Sequence, residues 1–288
     1  MFLPKRVLGE KLREFLEEDV GQGDVTTFLT IPAGIVVEAK VLAKEASVIA
    51  GIEEALVFLN SFGLETEAKV SDGTEVKPNT TLLKVVGDAR ALLSLERTLL
   101  NLLSRMSGIA TKTNRIVKKI KKANHRTRVA STRKVAPGLA YFDKKAVMIG
   151  GGDVHRLHLD DMILIKDNHI AIAGDVEQAV RKAKKNGSFS KKIEVEVSTL
   201  QEAERAIAAG ADIIMLDNLS PAEIRRTLKK LEKRKLRSKI LFEASGGINE
   251  ENVLDYTSTG VDIVSLGEIT QSAKAIDLSL EMVRIKKN

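Results

Sequence analysis

Apolar residues at helical spacing, Val7, Leu8, Leu12, Phe15 and Leu16, predict a short amphipathic helix over residues 5–18. The segment EEDVGQGDVTT follows, and its Gly21, Gly23, Asp24, Thr26 and Thr27 are the residue types of a tight turn. Between Ile35 and Ala43 the chain alternates, Val37, Ala39 and Val41 against Glu38 and Lys40, which predicts a half-buried strand. A helix near 51–62 and strands over 65–70 and 81–86, with a turn at 71–73, complete a small α+β unit. From Asp88 leucines and isoleucines recur at helical spacing as far as Lys122, with a break or bend near Ser107 and Gly108. The basic face of the second part, Lys112, Arg115, Lys119 and Lys122, reads as a solvated helix face.

After Thr127 the rhythm changes to strand followed by helix. Apolar runs at 127–131, 162–166, 193–197, 212–216, 239–244 and 262–266 predict six strands. Helix starts between them carry capping signals: Asp175 with Gln178, Thr199 with Glu202, and Ser220 with Pro221 and Glu223. Near-continuous apolar strands alternating with helices imply a parallel sheet covered by helices. Six strands fall short of the eight of a closed barrel, so the expectation is an incomplete parallel α/β barrel.

Composition narrows the class. Hydrophobic residues make up 43% of the 288, but aromatics only 3% with no Trp, so the core must be aliphatic. With no cysteine, disulfides, thiolate metal sites and a cysteine nucleophile are excluded. The start turns charged too soon for a secretory signal, and no apolar run approaches the roughly 20 residues of a membrane span, so a cytoplasmic protein is expected. The net charge of +7 would suit nucleic acid, but stacking aromatics are scarce and the Lys and Glu richness matches a heat-adapted surface; no nucleic-acid or membrane partner is expected.

Ligands of such barrels meet the carboxyl ends of the strands. Read in order, those ends give Thr132, Arg133 and Lys134; Lys166, Asp167 and Asn168; Glu194 and Glu196; Asp217 and Asn218; Ser245, Gly246 and Gly247; and Gly267. Arg133, Lys134, His155, Arg156 and Lys166 form a cation set suited to a small polyanion. Taken alone, Asp217-Asn218 reads as a strand-to-helix turn. Glu194 and Glu196 share one side of their strand, and a cationic lumen balances them better than apolar helices. Ser245-Gly246-Gly247, before a helix start predicted at Asn249, is a candidate phosphate seat. Gly150 to Gly152 reads as a mobile turn. His125 is read as a surface residue. No HxH or HExxH pair marks a histidine metal centre, and a hard cation such as Mg²⁺, held through carboxylates and substrate phosphates, fits better.

The phrases DVGQGDVTT, ERTLLNLLSRMSGIAT, TRKVAPGL, GGGDVHR, LIKDNHI, IEVEV, IIMLDN, ASGGI and VSLGEIT together resemble the quinolinate phosphoribosyltransferase family along nearly the whole chain. The resemblance implies an N-terminal α/β sandwich domain over 1–110 with a bridging helix, an incomplete α/β barrel over 111–270, and a C-terminal helix over 271–288 that packs back on the N-terminal domain. It implies phosphoribosyl transfer from phosphoribosyl pyrophosphate to quinolinate with decarboxylation, or, as the alternative, transfer to nicotinate or another aromatic acid. By the same resemblance Arg97, Arg133, Lys134, His155, Arg156 and Lys166 hold the dicarboxylate. Glu194, Glu196, Asp217, Ser245, Gly246, Gly247 and Gly267 hold the phosphoribosyl pyrophosphate, and Glu196 and Asp217 face Mg²⁺. Lys134, Lys166, Glu196 and Asp217 are then the expected catalytic residues. A homodimer with shared sites, or a higher oligomer built on it, is expected, with Arg97 reaching the neighbour's pocket. Val135, Ala140, Glu268 and Gln271 depart from the family's usual residues.

Overall fold

The computed structural model describes residues 3–286; Met1, Phe2, Lys287 and Asn288, which the expected first and last domains include, lie outside the described residues. The chain begins with α1 (Lys5–Val20), whose Leu8, Leu12 and Leu16 form the buried stripe, while Val7 is exposed. The expected tight turn is shorter than its glycines suggest. Asp24 caps a second helix, α2 (Val25–Thr30), its carboxylate accepting the Thr27 amide at 2.9 Å. Then come β1 (Val36–Ala43), β2 (Ser47–Val48), α3 (Ile52–Asn60), β3 (Glu65–Ala68), β4 (Glu75–Val76), β5 (Thr80–Asp88) and α4 (Ala89–Lys122).

Helix α4 runs through Ser107 and Gly108 without a break, the first of the two outcomes, break or bend, expected there. Both small residues serve close packing. The Ser107 hydroxyl accepts the Ala50 amide at 3.1 Å and donates to the Ala50 carbonyl at 3.2 Å. A side chain on Gly108 would run into the backbone of Lys274 and come within 3.2 Å of Ala275 Cα.

The second unit, residues 113–147 and 151–272, is the barrel. It comprises β6 (Arg128–Ser131), α5 (Ala140–Ile149), β7 (Ile163–Ile165), α6 (Asp167–Ala173), α7 (Val176–Asn186), β8 (Ile193–Val197), α8 (Leu200–Ala209), β9 (Ile213–Asp217), α9 (Pro221–Lys233), β10 (Leu241–Ser245), α10 (Val253–Thr257), β11 (Ile263–Leu266) and α11 (Glu268–Gln271). The strands form one parallel sheet in the order β6-β11-β10-β9-β8-β7. It does not close: β6 and β7 are its edges. The segment at Asp153 lies along β6, with its amide donating to Val129 O at 2.7 Å and its carbonyl accepting from Ser131 N at 2.9 Å. The expected caps are present, Asp175 accepting from Gln178 N and capping boxes opening α8 and α9. Helix α10 starts at Val253 rather than at Asn249, because Asn249 and Asn252 bond each other's backbone in a turn. Gly152 is closely packed: a Cβ there would lie 2.8 Å from both Thr113 Cγ2 and Val147 Cγ1.

After Ser272 the chain rejoins the first unit, but not as the expected helix. Strand β12 (Leu278–Lys286) pairs antiparallel with β1 along its length, from Ala43 opposite Leu278 to Val36 opposite Lys286. The sheet order is β12-β1-β5-β3. Leu, Glu and Met favour a helix locally, but β1 would otherwise expose an unpaired edge, and the ladder of backbone hydrogen bonds prevails.

Candidate active site

The carboxyl ends of the barrel strands surround a cavity of about 520 Å³. Its walls follow the order of the sheet. Thr132, Arg133 and Lys134 leave β6, Gly267 leaves β11, Ser245 to Gly247 leave β10, Asp217 and Asn218 leave β9, Glu196 stands on β8 and Lys166 leaves β7. His155 and Arg156 come from the segment that follows Asp153 on the open side. The cations therefore occupy the arc around the gap between β7 and β6, the carboxylates sit on β8 and β9, and the glycines on β10 and β11.

On the acidic arc, Glu196 accepts from Lys166 Nζ at 3.1 Å. Burial raises the Glu196 carboxyl above its ordinary value; Lys166 opposes this and neighbouring Asp217 reinforces it. Two adjacent carboxylates at a cavity wall are the hard oxygen donors that suit a magnesium-like cation. On the glycine arc, Gly246 and Gly247 adopt φ of 94° and 62°. Their amides have no hydrogen-bond partner among the described residues and are available to an anion. A Cβ on Gly246 would lie 2.8 Å from the Asn218 amide, so only glycine allows this approach. Lys134 is placed from behind: its carbonyl accepts from Thr270 Oγ1 at 2.8 Å, and a Cβ on Gly267 would come within 3.0 Å of Lys134 Cδ.

Behind the cationic arc lies a buried polar cluster. His155 Nε2 is 3.0 Å from Glu194 Oε2 and 3.3 Å from Glu243 Oε2, and both glutamates are fully buried. Burial, the strongest single influence, disfavours charge on His155, but the two carboxylates together push its pKa up to about 10. Burial also raises Glu194, with His155 opposing and Glu243 adding to the rise. This trio is close enough to chelate a metal, its ligand atoms lying within 4.8 Å of one another, but the imidazole already stands between the carboxylates, hydrogen-bonded to Glu194 and within ion-pair distance of Glu243. Glu194 thus faces the lumen as expected, but behind His155 rather than on the cavity wall.

Two members of this cluster escape sequence reasoning. Glu243 is an acid inside the apolar run LFEAS, a signal that was available; it shares a strand face with Ser245. Lys144 lies in α5, where YFDKKAVM shows no helical periodicity of charge. Its ammonium is fully buried and donates to Ser131 Oγ at 2.9 Å, Val154 O at 2.6 Å and Arg156 O at 3.4 Å. These bonds bracket His155, whose φ of 50° is left-handed. Burial pushes the Lys144 pKa down to about 8, against the pull of Asp153 and Asp161. Arg97 is an exposed residue of α4 in the first unit and does not line this cavity.

Residues 24–107 match the N-terminal domain of quinolinate phosphoribosyl transferase, and residues 109–281 match its C-terminal domain. The chain belongs to the quinolinate phosphoribosyl transferase family. Within that family, a probable nicotinate-nucleotide pyrophosphorylase (carboxylating) of Methanocaldococcus jannaschii is 50% identical over 275 residues, covering 95% of this chain and 96% of the relative. One of Methanothermobacter thermautotrophicus is 47% identical, covering 96% and 99%. The solved nicotinate-nucleotide pyrophosphorylase of Francisella tularensis superposes with a TM-score of 0.88 at 38% identity, over 98% of each chain.

Proposed function

We infer that this quinolinate phosphoribosyl transferase moves the phosphoribosyl group of 5-phosphoribosyl 1-pyrophosphate to the ring nitrogen of quinolinate, with loss of the 2-carboxylate. The products are nicotinate mononucleotide, pyrophosphate and carbon dioxide, on the route to NAD. The observation that carries the reading is the division of one cavity into three arcs. The cations at the β7–β6 gap suit a dicarboxylate, the free amides after β10 suit a 5′-phosphate, and the carboxylates of β8 and β9 lie between.

That order matches the order of groups in the reaction. Arg133, Lys134, His155, Arg156 and Lys166 hold the pyridine dicarboxylate and orient its nitrogen, and Gly246 and Gly247 with Ser245 and Gly267 hold the far phosphate. The ribose then spans the acidic arc. As the bond from C1 of the ribose to pyrophosphate breaks, positive charge develops on the ring oxygen and C1, and Glu196 and Asp217 stabilise it. Lys166, held to Glu196, keeps that carboxylate in place. Glu196 and Asp217 are also the residues that would hold Mg²⁺, which when bound supplies charge neutralisation for the leaving pyrophosphate. The nitrogen closes on C1 and becomes quaternary, so it can accept the electron pair released when the 2-carboxylate leaves. We place the protein in the cytoplasm as a homodimer, with Arg97 offered to the cationic arc of the partner subunit.

The test is an end-point assay with Mg²⁺, phosphoribosyl pyrophosphate and either quinolinate or nicotinate. Equal yields of nicotinate mononucleotide and carbon dioxide from quinolinate are expected, and Arg133→Ala should abolish them while the circular dichroism spectrum is retained. Product from nicotinate alone, or from neither acid, would overturn the reading.

A further inference from the structure

Decarboxylation leaves an electron pair on C2 of the ring, and the product carries hydrogen there. Something must deliver that proton. The cationic arc contains guanidinium and ammonium groups that have to stay charged to hold the substrate, and one imidazole. The imidazole is unusually arranged. Nε2 of His155 is engaged by two fully buried carboxylates, Glu194 on β8 and Glu243 on β10, while Nδ1 has no hydrogen-bond partner among the described residues. His155 lines the catalytic cavity. It also lines a second cavity of about 750 Å³, which borders the opposite, amino-terminal strand ends at Arg128, Ile213, Leu241 and Ile263. Its backbone is fixed by the Lys144 bonds on either side and by its amide, which donates to Asp153 Oδ1 at 2.8 Å.

From this geometry, and resting on the reaction inferred above, we propose that His155 is the acid that protonates C2 after carbon dioxide leaves, and that it is recharged by water. The step balances. The bond from C2 to the carboxylate carbon breaks and its electron pair stays on C2 beside the cationic ring nitrogen. C2 takes the proton from Nδ1, and His155 is left neutral with Nε2–H still held by the glutamates. Once carbon dioxide has left, water returns a proton to Nδ1. Two carboxylates at Nε2 keep the ring in the one tautomer that can donate and accept at Nδ1, as a single carboxylate does for the imidazole of serine hydrolases. The large pKa rise agrees with an acid that is fully charged when the intermediate forms. A carbanion beside a quaternary nitrogen is a far stronger base than imidazole, so the transfer runs downhill.

By microscopic reversibility the same imidazole removes the C2 hydrogen of bound nicotinate mononucleotide. The experiment follows that hydrogen by proton NMR in deuterium oxide, with saturating mononucleotide and Mg²⁺, for wild type, His155→Asn and Glu243→Gln. Wild type should exchange it faster than buffer, and His155→Asn should fall about a hundredfold, the usual size of a general acid's contribution. Glu243→Gln keeps the Glu194 contact and a charge-balanced pair, and the pH midpoint of its exchange should fall toward about 6.5. The charged groups facing Nε2 in that comparison are Glu194 and Glu243. In a single forward turnover, His155→Asn should release pyrophosphate and accumulate the ribosylated dicarboxylate. Unchanged exchange in His155→Asn at saturation, an unmoved midpoint in Glu243→Gln, or no exchange by a wild type that does convert quinolinate, would overturn the proposal. A wild type that makes no product from quinolinate overturns instead the reaction on which it rests.

Discussion

At the scale of single residues, the site contains two buried cations whose protons respond to folding in opposite directions. His155 is raised to about 10, so its stabilisation is fully present below its ordinary value and is lost as pH rises through about 10. Lys144 is lowered to about 8, so its contribution is present above the ordinary lysine value and is lost as pH falls through about 8. Urea unfolding against pH should separate them. Relative to His155→Asn, wild type should lose about 1.4 kcal/mol per pH unit between roughly 6.5 and 10. Relative to Lys144→Met, it should gain at about the same slope between roughly 8 and 10.4. A flat difference for either pair would mean that the group is solvated in the folded protein. Sequence reasoning reached His155 because it stands in a cluster of cations. It missed Lys144 because nothing local marks a lysine whose partners are a hydroxyl and two carbonyls supplied by other segments.

At the scale of elements, the barrel was legible and the seams between segments were not. Strand β8 spans the predicted residues, because IEVEV is apolar on one face and acidic on the other and Thr199 marks the next helix. Where local preference and long-range pairing disagree, the sequence misleads. Local preference predicts a helix where β12 stands, since its pairing residues lie more than two hundred positions earlier, and a break or bend at Gly108, which is a close contact. The contact has a measurable consequence. In Gly108→Ala the new methyl meets the Lys274 backbone, which cannot yield as a side-chain tip would, so a loss of about 3 kcal/mol in urea unfolding is expected. Ser220→Ala, which removes only a helix cap, should lose about 1 kcal/mol. If Gly108→Ala were as stable as wild type, the strand-bearing C-terminal segment would have to hold its place by other contacts.

At the scale of the molecule, one site residue implied by the family resemblance stands apart. Arg133, Lys134, His155, Arg156 and Lys166 meet in one cavity of the barrel unit, whereas Arg97 is an exposed residue of α4 in the first unit, with no partner among the described residues. An arginine left free on a surface, in a protein whose substrates are both strongly anionic, has a use if a neighbouring copy brings it to a second cavity. Subunit mixing distinguishes this from a role within one chain. Arg97→Ala and Arg133→Ala should each be inactive alone. When the two are unfolded together and refolded, half of the dimers are mixed, and in each mixed dimer one cavity combines an intact barrel with an intact Arg97. Activity should therefore return to about a quarter of wild type. If Arg97 served the cavity of its own chain, every site in the mixture would lack one of the two arginines and no activity would return. Recovery that rises with protein concentration would further show that the active unit is the assembled pair.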